Sequence, residues 1–253
     1  MVVAVVVELT TGVAQNGVNK IWDHFFPPPP GLAVTSKVVD PADDCSGGGG
    51  YVFRRPLSEL GDFTGKATTE QQVHKSGGAA AEYLIIELTL QRRRPVTVSV
   101  DDVRVNIKQK EPPFSRGTHL TFACQGGGVE VRTFAFDLDT SATAYTVVGR
   151  PPRIGGEERV ERLPVEPEPG KSLKLFVIPY GLEYGYRFTL TVGWQENGES
   201  RTEEIDNGGE PFVVMPARNA AQYVSFGFFG GRPPEVDQGT YHRPWFLVDT
   251  GVK

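Results

Sequence analysis

Asp137-Leu138-Asp139-Thr140-Ser141 sets oxygen-bearing side chains at first, third and fifth positions, the spacing with which a calcium loop opens. Hard cations take oxygen ligands in that alternation, but the helix-flanked loop also needs a glycine sixth and a bidentate glutamate twelfth. Ala142 and Val148 stand in those places. An EF-hand is therefore excluded. Asp137 and Asp139 stay as candidates for a looser calcium site, weighed against acidic residues that merely close a strand. Asp40, Asp43 and Asp44 form a second acidic cluster with the same two readings.

Other chemistries find less material. No serine sits in a Gly-x-Ser-x-Gly elbow, where a strained turn would expose its hydroxyl. Cys124 shares an alternation face with Leu120 and Phe122 and reads as a core thiol rather than an exposed thiolate. His24, His74, His119 and His242 are widely separated and lack metal-ligand spacing. Gly47 to Gly50 lacks the Gly-Lys-Ser/Thr ending with which a backbone cradle holds phosphates. Among 31 acidic residues no pair stands out as the two carboxylates of a glycosidase. The expectation is a protein with no catalytic residues and no cofactor. A hydrolase or lyase site assembled from distant strands is the alternative. For binding, exposed aromatics are the material: Tyr180 and Tyr184 bracket a connector, and Trp245 lies in the C-terminal tail. These three are the candidates for a sugar-binding face, whereas Trp194 belongs to an apolar stripe and reads as core.

Whole-chain properties narrow the classes further. A net charge of −5 gives a polyanion nothing to bind, so nucleic acid is excluded as a partner. The basic run Arg92-Arg93-Arg94 falls between two strand patterns and reads as a solvated loop. Gly 30 and Pro 20 are both high in 253 residues, as turns between many short strands require. Two cysteines, Cys45 and Cys124, are either a disulfide or two free thiols. At the front, Val2 to Val7 is an apolar run broken by Glu8. A spanning helix needs about 20 apolar residues. The run is then a short soluble element, or the end of a membrane helix whose beginning is missing.

The elements that must position these residues follow from period-two alternation. Tyr186, Phe188, Leu190, Val192 and Trp194 alternate with Arg187, Thr189, Thr191 and Gly193, the pattern of a strand with one buried face. Asn197-Gly198 then marks a two-residue hairpin returning through Ser200–Ile205. Leu84, Ile86, Leu88 and Leu90 share a face, while Tyr83 and Ile85 make that strand's start apolar on both sides. Val96, Val98 and Val100 share one face and Val103, Val105 and Ile107 another, so a bulge is required at Asp101-Asp102. A similar slip separates Val129 and Val131 from Phe134, Phe136 and Leu138. Strands are also expected at residues 32–39, 119–124, 144–148, 172–178 and 211–214, and one short helix at 68–75 ended by Gly77-Gly78. The sum is an all-β, antiparallel β-sandwich of roughly eight strands, Ig-like in general architecture. It occupies residues 31–215. Residues 1–30 form an apolar or helical segment with a stiff spacer, Pro27 to Pro30, and residues 216–253 form an aromatic C-terminal extension.

The order of several pieces resembles a group of actinobacterial proteins with one N-terminal membrane helix and an extracytoplasmic β domain. The pieces are the apolar N-terminus leading into Val13 to Phe25, the Asp44-Cys45 loop, the short helix before Gly77-Gly78, and Val100-Asp101-Asp102-Val103-Arg104-Val105. They continue with Gly117-Thr118-His119, Phe136-Asp137-Leu138-Asp139, the Trp194 strand and the run Asp206 to Phe212. The resemblance implies a membrane-tethered ectodomain on the extracytoplasmic face, or a secreted one, and implies no activity. A cytoplasmic accessory domain is the alternative. On the extracytoplasmic face Cys45 and Cys124, the only pair, are expected to form a disulfide, which would exclude the cytoplasmic alternative. The expected partner is another protein or an envelope glycan, with membrane association through the N-terminus.

Overall fold

The computed structural model describes residues 30–39, 50–60, 70–122, 133–148, 163–226 and 235–237. The Cys45–Cys124 pairing, Trp245, Asp40, Asp43, Asp44, the Val129–Val131 slip and the N-terminal segment lie outside the described residues. Among the described residues no helix is long and apolar enough to cross a membrane.

The described part is mostly β, in two mixed sheets. Its strands are β1 (Leu32–Val38), β2 (Gly50–Phe53), β3 (Gly78–Ala81), β4 (Ile86–Arg92), β5 (Val98–Glu111), β6 (Thr118–Phe122) and β7 (Thr133–Asp137). They continue as β8 (Tyr145–Val148), β9 (Ser172–Tyr180), β10 (Gly185–Glu196), β11 (Glu199–Ile205), β12 (Phe212–Met215), β13 (Gln222–Phe226) and β14 (Glu235–Asp237). One helix, α1 (Glu70–Lys75), precedes β3 and ends at Gly77, which holds a φ of 75°. The first sheet has the order β1-β4-β9-β7-β8. The second runs β11-β10-β12-β3-β2-β6-β13-β14, with β5 on the remaining side of β10.

Both sheets contribute to one core. From the first come Leu32, Ile86, Leu88, Leu90, Phe134, Phe136, Leu175 and Val177, and from the second Val100, Val105, Phe188, Leu190, Val192, Trp194 and Phe212. β10 is the long alternating strand, and Tyr186, Phe188, Leu190, Val192 and Trp194 are all buried. It turns at Asn197-Gly198, both at positive φ, and β11 returns with Leu190 opposite Ile205 and Glu196 opposite Glu199. The phase slip at Asp101-Asp102 is a bulge: β5 pairs Val100 with Trp194 and Asp102 with Gly193, leaving Asp101 without an opposite number. The two valine runs are thus one bent strand. A second irregularity skips Lys108, between Ile107 and Gln109. Beyond the first bulge Val103 and Val105 are buried, but Ile107, expected beside them, is 40% exposed near the strand's end.

Two features depart from the antiparallel expectation. Three pairings are parallel, namely β7 with β9, β12 with β3 and β13 with β6. Alternation reports which face a residue takes and carries no information on a neighbour's direction, so only the hairpins were open to prediction. β3 and β12 are also buried on both faces: Ala80 and Val214 enter the main core, while Ala79, Ala81, Val213 and Met215 join Val52, Phe114 and Ala217 in a cluster on the other side. Central strands of that kind read as unbroken apolar runs rather than alternations. The first sheet likewise has an outer cluster, where Tyr83, Ala135 and Ile178 pack with Ile85, Tyr180 and Leu182, which accounts for the double-sided start of the Leu84–Leu90 pattern. β13 and β14 come from the aromatic tail and extend the second sheet beyond β6.

The β10 faces make a direct comparison possible. Trp194→Ala removes a large side chain from the core and should cost roughly 3–5 kcal/mol. Thr191, half-buried, accepts one hydrogen bond from Asn106 at 2.6 Å. Thr191→Ala should cost only about 1 kcal/mol. Urea unfolding of both variants tests this, and equal losses would mean that the faces are reversed.

Candidate functional site

Three groups of polar side chains are organised by this framework. The first collects most of the residues that the sequence offers for binding. Asp137 Oδ1 accepts the amide N–H of Asp139 (3.0 Å), a turn that aspartate makes with its own backbone. Asp139 then reaches across to the β9–β10 connector. Its Oδ2 accepts the N–H groups of Leu182 (2.6 Å) and Glu183 (3.0 Å), and its Oδ1 accepts the hydroxyl of Tyr186 (2.8 Å). Burial, then the hydrogen bond and charge of Asp139, push the Tyr186 hydroxyl's pKa upward and keep it a donor. Both Asp139 oxygens therefore serve protein donors, and the carboxylate works as a clasp between two connectors. Among the described residues no three His, Cys, Asp or Glu side chains converge in a way that could hold a metal ion.

The tyrosines around this clasp take three different situations. Tyr186 is core. Tyr180 is half-buried in the outer cluster of the first sheet, bridged to Tyr83. Tyr184 is 39% exposed, and the Lys110 ammonium lies 3.6 Å from its ring centroid. Tyr180 and Tyr184 therefore do not share one exposed face, and Tyr184 is the one presented to solvent.

The second group closes the far end of the core. Glu196 is buried, at 5% exposure, where β10 ends. Its Oε2 accepts the N–H of Gly31 (2.9 Å) and lies 3.5 Å from the Trp194 indole nitrogen, and its Oε1 accepts from Arg94 Nη2 (2.8 Å). Arg201 Nε stands 3.4 Å from the same carboxylate. Burial alone would raise the Glu196 pKa. The Gly31 and Trp194 donors and the two arginines outweigh it and hold the carboxyl below its ordinary value. A Cβ on Gly31 would fall 2.4 Å from Val96 Cγ2 and 3.1 Å from the Glu196 carboxyl, so only glycine allows the backbone this close. The arginine run is thus more than a solvated loop. Arg92 stands opposite Leu32 on the core-facing side of β4, and Arg94 is tied to a buried carboxylate.

The third group was invisible in the sequence. Glu82, 1% exposed, has a φ of 67°. Tyr83 N–H bonds to Ala81 O (2.8 Å) around it, closing a tight three-residue turn. Such a conformation costs of order 1–3 kcal/mol and persists only where its surroundings enforce it. Here Glu82 N–H donates to Met215 O and Gly181 N–H donates to Glu82 O, both at 2.8 Å. His119 on β6 is 3% exposed and packs edge-on against Tyr223 of β13, its register partner, with ring centroids 5.6 Å apart. Burial and the charge of Glu82 raise the Tyr223 pKa, and its hydroxyl donates to Ala217 O and Arg218 O. Glutamate, histidine and tyrosine are general acid–base material, yet Glu82 and His119 are buried and Tyr223 is half-buried. Nothing around Glu82, which stands between an Ala-Ala-Ala run and a tyrosine, signals it in the sequence.

Comparison with known proteins adds no relative: no protein-family model, no curated protein and no solved structure matches the chain.

Two outcomes follow from the geometry. Asp139→Ala leaves two amides and a buried hydroxyl without their acceptor and should cost roughly 2–4 kcal/mol, against about 1 kcal/mol for Tyr186→Phe, read by urea denaturation. Because the Glu196 pKa is depressed on folding, its contribution is full above the ordinary value of 4.5 and is lost as pH falls through the lower folded value. Melting temperature should therefore fall less steeply below that pH in Glu196→Gln than in the unaltered protein. Parallel curves would show that the carboxylate titrates normally.

Proposed function

We propose that this chain is a cell-envelope β-sandwich ectodomain, Ig-like in general architecture, that binds a partner or serves a structural role without catalysis. The observation that carries the reading is Tyr184, an exposed aromatic on a connector whose backbone is pinned by Asp139 and whose ring is backed by Lys110. A large apolar ring held by packing and hydrogen bonds loses little conformational freedom on binding, which is what a recognition platform needs. The sharing of one core by two sheets supports the sandwich assignment. Placement on the extracytoplasmic face, with tethering through the N-terminus, rests on the sequence resemblance. The ligand class favoured by a tyrosine platform is an envelope glycan, whose sugar rings stack on aromatic faces.

A second reading, a hydrolase or lyase, is favoured by the strained, buried Glu82 with His119 and Tyr223 nearby. One experiment addresses both. The full chain is titrated with soluble glycan fragments from the envelope of its host and screened with hydrolase substrates. Saturable binding that weakens roughly tenfold or more in a folded Tyr184→Ala variant is the expected result. Reproducible turnover that disappears in Glu82→Gln or His119→Ala would overturn it in favour of the enzyme.

A further inference from the structure

Tyr184 is one member of a short line of exposed side chains. Among the described residues, Tyr184 and Ile107 are the two large apolar side chains left open to solvent. Lys110 joins them. It stands opposite Tyr186, and Ile107 stands opposite Phe188, so both take the face of the β5–β10 pair that Tyr186 and Phe188 take. One pleat period, roughly 7 Å, separates them along the strand. The skipped Lys108 is what brings them into line, because strict alternation puts residues three apart on opposite faces. The Lys110 ammonium lies over the Tyr184 ring, 3.6 Å from its centroid, and 5.7 Å from that of Tyr186. The order along this rim is therefore aromatic ring, cation, aliphatic side chain.

The cation in the middle has no anion of its own. Its neighbours do: Lys108 pairs with Glu204 at 2.9 Å, and Arg54 and Arg187 share Glu111 at 3.1 and 2.9 Å. No carboxylate among the described residues lies within ion-pair range of Lys110. Asp139, which pins the connector carrying Tyr184, already serves Leu182, Glu183 and Tyr186. A ring face fixes the position of an ammonium without neutralising it. Lys110 is thus a positioned, exposed positive charge with an apolar contact on either side.

We propose that this rim takes an acidic glycan, its carboxylate on Lys110 and the apolar faces of its sugar rings on Tyr184 and Ile107. The inference rests on the reading of Tyr184 as a glycan platform and adds the charge of the ligand. One ammonium answers one charge. Asp137, Asp139 and Glu183 all act on the adjoining Tyr186 hydroxyl, so a densely charged polyanion meets repulsion here. A phosphate ester, with nearly two charges at neutral pH, matches a lone lysine less well than a carboxylate does. Lysine also suits the part as a compact point charge, whereas a bidentate site would call for arginine. The ligand is then a glycan whose carboxylates are isolated from one another by neutral sugars.

The test is a set of NMR titrations of the full chain at neutral pH with two matched pairs of disaccharides. N-acetylglucosaminyl-N-acetylmuramic acid carries one lactyl carboxylate, and diacetylchitobiose is its neutral counterpart. Cellobiouronic acid carries its carboxylate on a sugar ring, and cellobiose is the neutral partner. The expected result is saturable shifts of the Tyr184, Lys110 and Ile107 amides, with at least one acid bound roughly threefold or more tighter than its partner. Added sodium chloride should erode that preference. Lys110→Gln should abolish the difference between acid and neutral sugar, and Lys110→Arg should keep it. Ile107→Ser should weaken acid and neutral sugars alike. A preference within the first pair alone identifies a lactyl acid, and within the second alone a uronic acid. Equal affinities in both pairs, with binding still dependent on Tyr184, would overturn the acidic class and leave the platform standing. A preference that survives in Lys110→Gln would overturn the part given to lysine. No saturable binding of any of the four would remove the platform itself, and this inference with it.

Discussion

A strand has two edges on which to hydrogen-bond, and β10 divides one of them between two partners. Along one edge it pairs with β5 over its whole length, from Gly185 to Glu196. On the other, β12 takes Tyr186 to Phe188 and β11 takes Leu190 to Glu196. Each non-proline residue carries one donor and one acceptor that must be met when buried, and this sharing meets them along a long strand that is mostly buried. The hairpin, the parallel β12–β3 contact and the bent β5 all take their positions from β10. Its two ends also anchor both polar corners: the Tyr186 hydroxyl is held by Asp139 at one, and Glu196 receives Gly31 and Arg94 at the other.

Legibility of the fold followed the physics of alternation. Strands with one wet face, such as β4, β10 and the two halves of β5, were readable together with their faces, because side chains two apart share an environment. The Asp101 bulge was readable for the same reason, since a one-residue phase change has few other causes. β3, an Ala-Ala-Ala run after a glycine, and β12, a Phe-Val-Val-Met run, were harder. Burial on both faces erases the alternation, and alanine has little strand preference of its own. Parallel pairings were beyond reach because they join segments far apart in the chain.

The polar corners were partly legible. The alternation that places Trp194 in the core extends one step to Glu196, and the one that places Leu90 there extends to Arg92. A carboxylate that continues a core-facing stripe to its end calls for a cation beside it; Arg94 and Arg201 supply it, and treating Arg92 to Arg94 as a solvated turn overlooked the first of them. Asp137 and Asp139 were found for their oxygens, but what those oxygens bond to depends on a connector some forty residues later in the chain. Glu82 offered no pattern at all, because the backbone partners that hold it are Met215 of β12 and Gly181 of the β9–β10 connector, both far away in the chain.

The bend in β5 also bears on how copies of the molecule avoid one another. β5 has β10 on one side, and on the other, among the described residues, only Val165 and Ala142 hydrogen-bond to its backbone, at Val100 and Val105. Past Val105 that outer backbone would be a template for a neighbour's strand, with a 40% exposed isoleucine to cement the pairing. The skipped residue there is Lys108, so the ladder is out of step along that stretch. A break in register is one means by which open sheets resist zipping together. The irregularity that leaves Ile107 uncovered is thus also what makes its exposure safe.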